Sequence, residues 1–267
     1  MFRLAWSALV LLPLLSVLSA PVCGQSPRPA DPGRDPENLG GISLEPDKET
    51  LTAVTSQIEA ARQAIKGKKW RDATSLLQKL LDRPDDVSIA VPRMGPGGKP
   101  IREFVSVRAE AGRMLAELPP EARASYEREY GPKAAQALKN AEGDPKALAL
   151  IMHRYFYTEA GAAATEQLAT HLLDRGEFST AALCFEKLMR RSGPEKLAPL
   201  TLFKAAVAFH HVSNKSNEDR AWRALEGKTR QLKLGNGKSY SIKELREWGH
   251  KRPTLGRNRQ LSDWLDP

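Results

Sequence analysis

The pattern that most restricts this chain is a pair of antiparallel helices that its sequence writes twice. In "LLDRGEFSTAALCFEKLMRRSGPEKLAP", residues 172–199, one helix ends, a tight turn follows at Gly176, a second helix begins, and a proline-bearing stretch stops it. Phe178, Ala181, Phe185 and Leu188 recur along that second helix at spacings of three and four. Trp70, Ala73, Leu77 and Leu80 repeat the arrangement, with Ala61 and Ala64 behind them as Ala169 and Leu172 stand behind the later set. Gly67 and Gly176 fall in or just before the two turns. A weaker third copy aligns Ala206, Phe209, Trp222 and Leu225 but carries Glu218 where alanine is expected. The physical reason for the pattern is direct. Two antiparallel helices approach closely only where a small residue lets their backbones meet, and a bulky residue one turn away fills the groove toward the next pair. Each unit therefore needs a neighbour.

These residues resemble the tetratricopeptide repeat, which has small residues at its eighth and twentieth positions, large or aromatic ones at its seventeenth and twenty-fourth, and proline near its end. The repeat's first-helix tryptophan is absent, and the copies are separated by unequal spacers. Phrases such as "WRDATSLLQKLLDRPDD", "ALCFEKLMRR" and "LAPLTLFKAAVAF" bring a narrower likeness. The chain after its leader resembles the N-terminal, repeat-containing region of exported planctomycete-type proteins. In those proteins a β-propeller of the pyrroloquinoline-quinone-dehydrogenase-like kind, similar to outer-membrane assembly factor B, often follows. Here the sequence closes on "LSDWLDP", about where such a propeller would begin, so the resemblance implies a truncated form or a helical module alone and carries no propeller function over. The implied fold is all-α: tetratricopeptide-like antiparallel helical hairpins stacked as a short solenoid, with one inserted β-hairpin.

Around the repeats the chain divides by composition. The first 24 of 267 residues hold one positive charge at Arg3, an apolar run over 4–18 and then small residues, the anatomy of a secretory signal peptide. Pro21 argues against a cut after Ala20, and Val22 with Gly24 places the new N-terminus at Gln25. The rival reading makes Cys23 a lipid-modified first residue, against which the preceding "APV" stands as a poor match. Residues 25–46 are rich in proline, glycine and charge, with almost no large apolar side chains, and read as a disordered linker. A repeat domain is expected over 47–250, and a basic tail over 251–267.

Within that domain Leu51, Val54, Ile58, Ala61 and Ile65 mark a first amphipathic helix, "KGKKW" breaks it, and Pro84 ends the second. "VSIAV" (87–91) and "IREFVSV" (101–107) alternate on either side of "PRMGPGGKP", which predicts a β-hairpin whose Val87, Ile89, Val91, Val105 and Val107 pack on neighbouring helices. Helices are expected over 109–118, 120–130, 133–141, 145–157, 160–175, 178–191, 196–212 and 217–228, with Pro120, Pro132 and Pro145 in first turns. A small hairpin in "RQLKLGNGKSYSI" and a short helix opened by a Ser241/Glu244 capping box complete the reading.

The chemistry of catalysis finds little support. "GNGKS" lacks the glycine that a phosphate-binding loop needs five positions before Gly237, where Leu232 stands, and reads as a hairpin turn. "MGPGGK" fails in the same way. His153, His171, His210, His211 and His250 show no metal-ligand spacing. Once residues 1–24 are removed, Cys184 is alone among Ala181, Ala182, Leu183 and Phe185, a small buried hydrophobe without a disulfide. No catalytic, cofactor-binding or metal residues are assigned, and the chain is read as not an enzyme.

The formal net charge is +9, and about +8 without the leader, which removes Arg3 and no acid. Lys228, Arg230, Lys233, Lys238, Lys243, Arg246, Lys251, Arg252, Arg257 and Arg259 concentrate the excess late in the chain. The leading expectation is a non-catalytic scaffold of the cell envelope, periplasmic or envelope-associated. It would hold a protein or peptide along the first helices of each pair, with Gln57, Arg62, Gln167, Lys204 and His211 as contacts. Packing of the repeats falls to Ala61, Trp70, Ala73, Leu77, Ala169, Phe178, Ala181, Phe185, Ala206 and Trp222. Two alternatives stand beside it. One is a basic module that binds an anionic lipid or polymer of the envelope through the tail and Lys66, Lys68 and Lys69. The other is an adaptor part of a longer propeller protein. An export signal disfavours nucleic acid as the partner.

Overall fold

In the computed structural model of the protein, the described residues are 48–251, Asn236 aside. The leader and linker expected over 1–46, and the tail beyond Lys251, lie outside them. The fold is an all-α stack with an inserted β-hairpin, and the described residues form ten helices that pack largely in chain order.

α1 (Lys48–Lys66) and α2 (Trp70–Leu81) form the first helical pair. Ala61 and Ala73 are fully buried where the two backbones approach, and Leu77 is buried beside them. Trp70 opens α2 and is only half-buried. β1 (Ser88–Met94) and β2 (Pro100–Ser106) follow as an antiparallel hairpin with Ser88 opposite Ser106 and Met94 opposite Pro100. The expected second strand is one residue too long: Val107 is the first residue of α3 (Val107–Ala116). The cause is Ser106, whose Oγ accepts from the Ala109 N–H at 3.1 Å and caps the helix, while donating to Asp86 at 2.7 Å. Val87, Ile89, Val91 and Val107 are buried, and Val105 is half-buried.

α4 (Pro120–Ala141) replaces the two helices expected on either side of Pro132, which lies inside it rather than in a first turn. An internal proline removes one N–H and costs about 3 kcal/mol in a helix that nothing else supports. Here Tyr126, Tyr130 and Ala134, four apart, are buried on one continuous stripe, and Pro132 and Arg128 face outward. Burial of that stripe holds the helix together across the break.

α5 (Pro145–Tyr155), α6 (Glu159–Asp174), α7 (Phe178–Ser192), α8 (Pro199–His211) and α9 (Lys215–Lys228) continue the stack. α5 stops two residues earlier than expected because Thr158 caps α6: its Oγ1 accepts from the Gly161 N–H at 3.0 Å and donates to the Tyr155 carbonyl at 2.8 Å. α8 begins at Pro199, not at 196, since a proline forces the residue before it to be extended, as Ala198 is (φ −63, ψ 150). α9 begins at Lys215, two residues early, capped by the Asn214 side chain. Ala169, Ala181 and Phe185 are fully buried in the α6–α7 pair, and Phe178 is half-buried at its edge. In the α8–α9 pair Ala206 is buried and Trp222 nearly so. Glu218 is buried as well, within 3.3 Å of His210 Nδ1 and 3.6 Å of Lys215 Nζ, and Ala221 is the small residue of that helix. A short hairpin, β3 (Gln231–Lys233) with β4 (Ser239–Ser241), leads into α10 (Ile242–Lys251). Ser241 and Glu244 exchange the two hydrogen bonds of a capping box, at 2.8 and 3.2 Å.

The close approach of α6 to the end of α5 depends on Gly161. A Cβ there would lie 1.8 Å from the Tyr155 carbonyl oxygen, which belongs to backbone and has no room to turn aside. Gly161→Ala is expected to lower stability by about 1–3 kcal/mol, read as a shift in the urea midpoint without a change of slope.

Two apolar clusters result, one from α1 to Tyr130 and one from Ala141 to Leu245. They meet at Tyr155 and Tyr157, which pack against both. A polar seam crosses the same boundary. Tyr126 donates to Gln78 Oε1 at 2.6 Å, and Gln78 donates to Asp82 at 2.9 Å and to the Arg154 carbonyl at 3.1 Å. Arg154 in turn donates to Asp82 at 2.7 Å.

Candidate partner-binding site

Along α7 the buried residues Ala181, Cys184, Phe185, Leu188 and Met189 take the inner face, which leaves Lys187, Arg190 and Arg191 together along one edge. Opposite them runs α3, placed by its Ser106 cap, with Arg108 in its first turn. The Arg108 guanidinium donates to the carbonyls of Arg83 and Pro84, the latter at 2.8 Å, and so grips the loop between α2 and β1. Between α3 and α7 lies a cleft of about 540 Å³ with Leu81, Met152 and Phe156 as apolar lining. Gly112 lets Tyr157 close against α3, since a Cβ at 112 would stand 3.2 Å from its hydroxyl. A second hollow of about 440 Å³ shares Ala116, Tyr157, Arg190 and Arg191 with the first and extends to Arg123 and Lys196.

The cleft is cationic, but its cations are not equivalent. Arg113 is committed to Glu110 and Glu117, and Arg191 to Glu159 at 2.8 Å. Arg190 has only a loose pairing with Glu186 at 3.8 Å. No ion pair is formed by Lys187 or the Arg108 guanidinium among the described residues, although the one acid that lines the cleft, Asp86, accepts from the Arg108 backbone N–H at 3.3 Å. The Lys187 ammonium sits 5.3 Å from the centre of the Phe156 ring, a cation–π contact. Burial pushes its pKa below the usual lysine range, and Arg190 adds to the fall. Partial desolvation lowers the pKa of His153 as well, helped by Lys187 and Arg108 and opposed by Asp86, although part of the residue stands exposed. A partly desolvated ammonium beside the loosely paired Arg190, over an aromatic floor, is an arrangement that gains from an incoming anion with an apolar neighbour.

The contacts expected from the sequence do not converge here. Gln57 is half-buried on α1. Arg62, also on α1, is turned inward to Glu110 at 3.0 Å. Gln167 is exposed on α6, and Lys204 on α8 donates to Thr170 of α6 at 3.0 Å, so these two share a pair of neighbouring helices. His211 lies flat on Phe178, ring centres 3.8 Å apart, and burial first, then His210, brings its pKa to about 4. Of the aromatic run 155–157, Phe156 is buried and the two tyrosines are half-buried. Cys184 is buried, 3.9 Å from the Met152 sulfur, with its thiol pKa raised by burial. The cleft escaped the sequence reading because its cations come from α3 and α7, far apart in the chain. The Lys187, Arg190, Arg191 spacing on one helix was its only legible sign.

Among the described residues no three histidine, cysteine or acidic side chains stand where they could hold a metal ion, and no helix is long and apolar enough to cross a membrane. No family model, curated protein or solved structure matches the chain.

Proposed function

We propose that the protein is a non-catalytic interaction scaffold that takes an acidic segment of a partner protein into the cleft between α3 and α7. The observation that carries this reading is Lys187: a half-buried ammonium, stacked on Phe156, that makes no ion pair with a carboxylate among the described residues. Leaving a cation in that state lowers the stability of the free protein, and an acidic group from outside relieves it. An apolar residue beside that acidic group would cover Phe156 and Met152, which distinguishes a peptide from a bare anion. The leader expected over 1–24, from its apolar run and small residues, makes the cell envelope the setting of this reading.

The test is affinity capture from envelope extract with the full chain and its Lys187→Glu variant, followed by mass spectrometry. Charge reversal is expected to lower retention of a discrete protein by about tenfold or more, with binding that weakens as salt rises. Unfolding of the variant at the wild-type temperature would establish that the loss is not one of fold. The same proteins held equally by both chains would remove the cleft from the interaction.

A further inference from the structure

We propose that the β1–β2 hairpin is a second docking surface, one that seats the protein on an anionic bilayer. The observation behind it is an imbalance between the two strands. β1 buries Ile89 and Val91 against the helices, whereas β2 is exposed at every residue from Pro100 to Phe104. Register fixes the faces: Ala90, Pro92 and Met94 lie opposite Phe104, Arg102 and Pro100 on the outward side, and Ile101 lies on the other. Met94 is 75% exposed, Phe104 77% and Ile101 47%, half of all the large apolar side chains that stand exposed among the described residues.

The hairpin therefore offers Met94 and Phe104 on its outward face, whereas the face that carries Ile89 and Val91 is packed on the helices and leaves only part of Ile101 uncovered. An apolar outward face flanked by exposed cations matches the boundary layer of an anionic membrane, in which charged headgroups lie over acyl chains. That layer is also wet enough to hydrate the edge of β2, which has no neighbouring strand among the described residues. At the apex, a Cβ at Gly97 or Gly98 would meet nothing within 4 Å, so the end stands clear of the helices.

Charge selects the kind of membrane. Lys99 and Arg102 are exposed on the hairpin, and its one acid, Glu103, is matched by Arg93 at 3.4 Å. Arg93 also reaches Glu110 at 2.6 Å, and the same carboxylate holds Arg62 of α1. This bridge ties the far part of β1 to the last turns of α1, just before exposed Lys66, Lys68 and Lys69. Cations around an apolar wedge are what anionic headgroups over acyl chains attract.

Hydrogen exchange of the full chain would test this, with vesicles of phosphatidylglycerol and phosphatidylethanolamine set against vesicles of phosphatidylcholine alone. Amides over 90–104 are expected to slow by about tenfold on the anionic vesicles and to be unchanged on the neutral ones. The double variant Met94→Ser, Phe104→Ser should lose that protection while unfolding at the wild-type urea concentration, since both side chains face outward. The apolar run over 4–18 is the same on both vesicles, so any protection it brought to 90–104 would appear on the neutral ones as well. Equal protection on neutral vesicles, protection that survives in the double variant, or protection that arises only when envelope proteins are added would each overturn the proposal.

Discussion

Phe185→Ala is expected to lower the free energy of unfolding by about 3–5 kcal/mol, read from the midpoint and slope of a urea transition. Phe185 is fully buried within the larger apolar cluster, which also contains Leu173, Met189, Leu202 and Phe209. Truncation removes the ring from that cluster and leaves a cavity that helices held on both sides cannot close. Leu183 provides the control: it lies two residues earlier on the same helix, 61% exposed, and its replacement by alanine should change stability by no more than about 0.5 kcal/mol. A loss below about 1 kcal/mol at Phe185 would mean that the α6–α7 pair does not depend on this side chain to meet its neighbours.

The stack was legible from the sequence because its causes are local and periodic. Ala61 with Ala73, and Ala169 with Ala181, announce close helix pairs, and each is fully buried where two helices meet. The boundaries that slipped are those where a side chain or the tertiary packing overrules the local rule. Ser106 turns a strand into a helix one residue early through a hydrogen bond to Ala109. Pro132 stays inside α4 because the burial of Tyr126, Tyr130 and Ala134 outweighs the missing N–H. Neither outcome follows from residue type and spacing alone.

The cleft was less legible for a different reason. Helical phase places polar residues outward, and on that basis it singles out Gln57, Arg62, Gln167, Lys204 and His211. A long cationic side chain at the margin of a helix can instead turn inward when a buried acid waits on another element, as Arg62 does for Glu110. His211 finds the Phe178 ring across the turn of the stack, a contact between residues far apart in the chain. Residue type does not mark Lys187, because its distinction is that it makes no ion pair with a carboxylate among the described residues, and only the packed arrangement of α3, α5 and α7 reveals that.

Glu110 is the side chain whose removal should do most damage outside the apolar clusters. Its carboxylate is fully buried and accepts from Arg62 at 3.0 Å, Arg93 at 2.6 Å and Arg113 at 2.8 and 3.0 Å, joining α1, β1 and α3. Glu110→Gln keeps the shape but leaves three guanidinium groups facing one another. Those groups are 26–36% exposed and recover part of their hydration, so the expected loss at pH 7 is about 2–4 kcal/mol, not the full cost of a buried orphan charge. The pH dependence separates this electrostatic role from packing. The hydrogen bond from Arg113, with smaller contributions from Arg62 and Arg93, outweighs burial and lowers the Glu110 pKa from 4.5 to about 2. A depression of that size corresponds to roughly 3 kcal/mol of stability. It is complete above pH 4.5, where the unfolded chain is ionised too, and is lost progressively as the pH falls through about 2, where the folded carboxylate takes up its proton. The difference between wild type and Glu110→Gln in urea should therefore hold steady from pH 7 to about 5 and shrink toward zero near pH 2. A gap that stayed constant across that range would assign Glu110 a role in shape, with its charge contributing nothing to the hold of the hairpin on the helices.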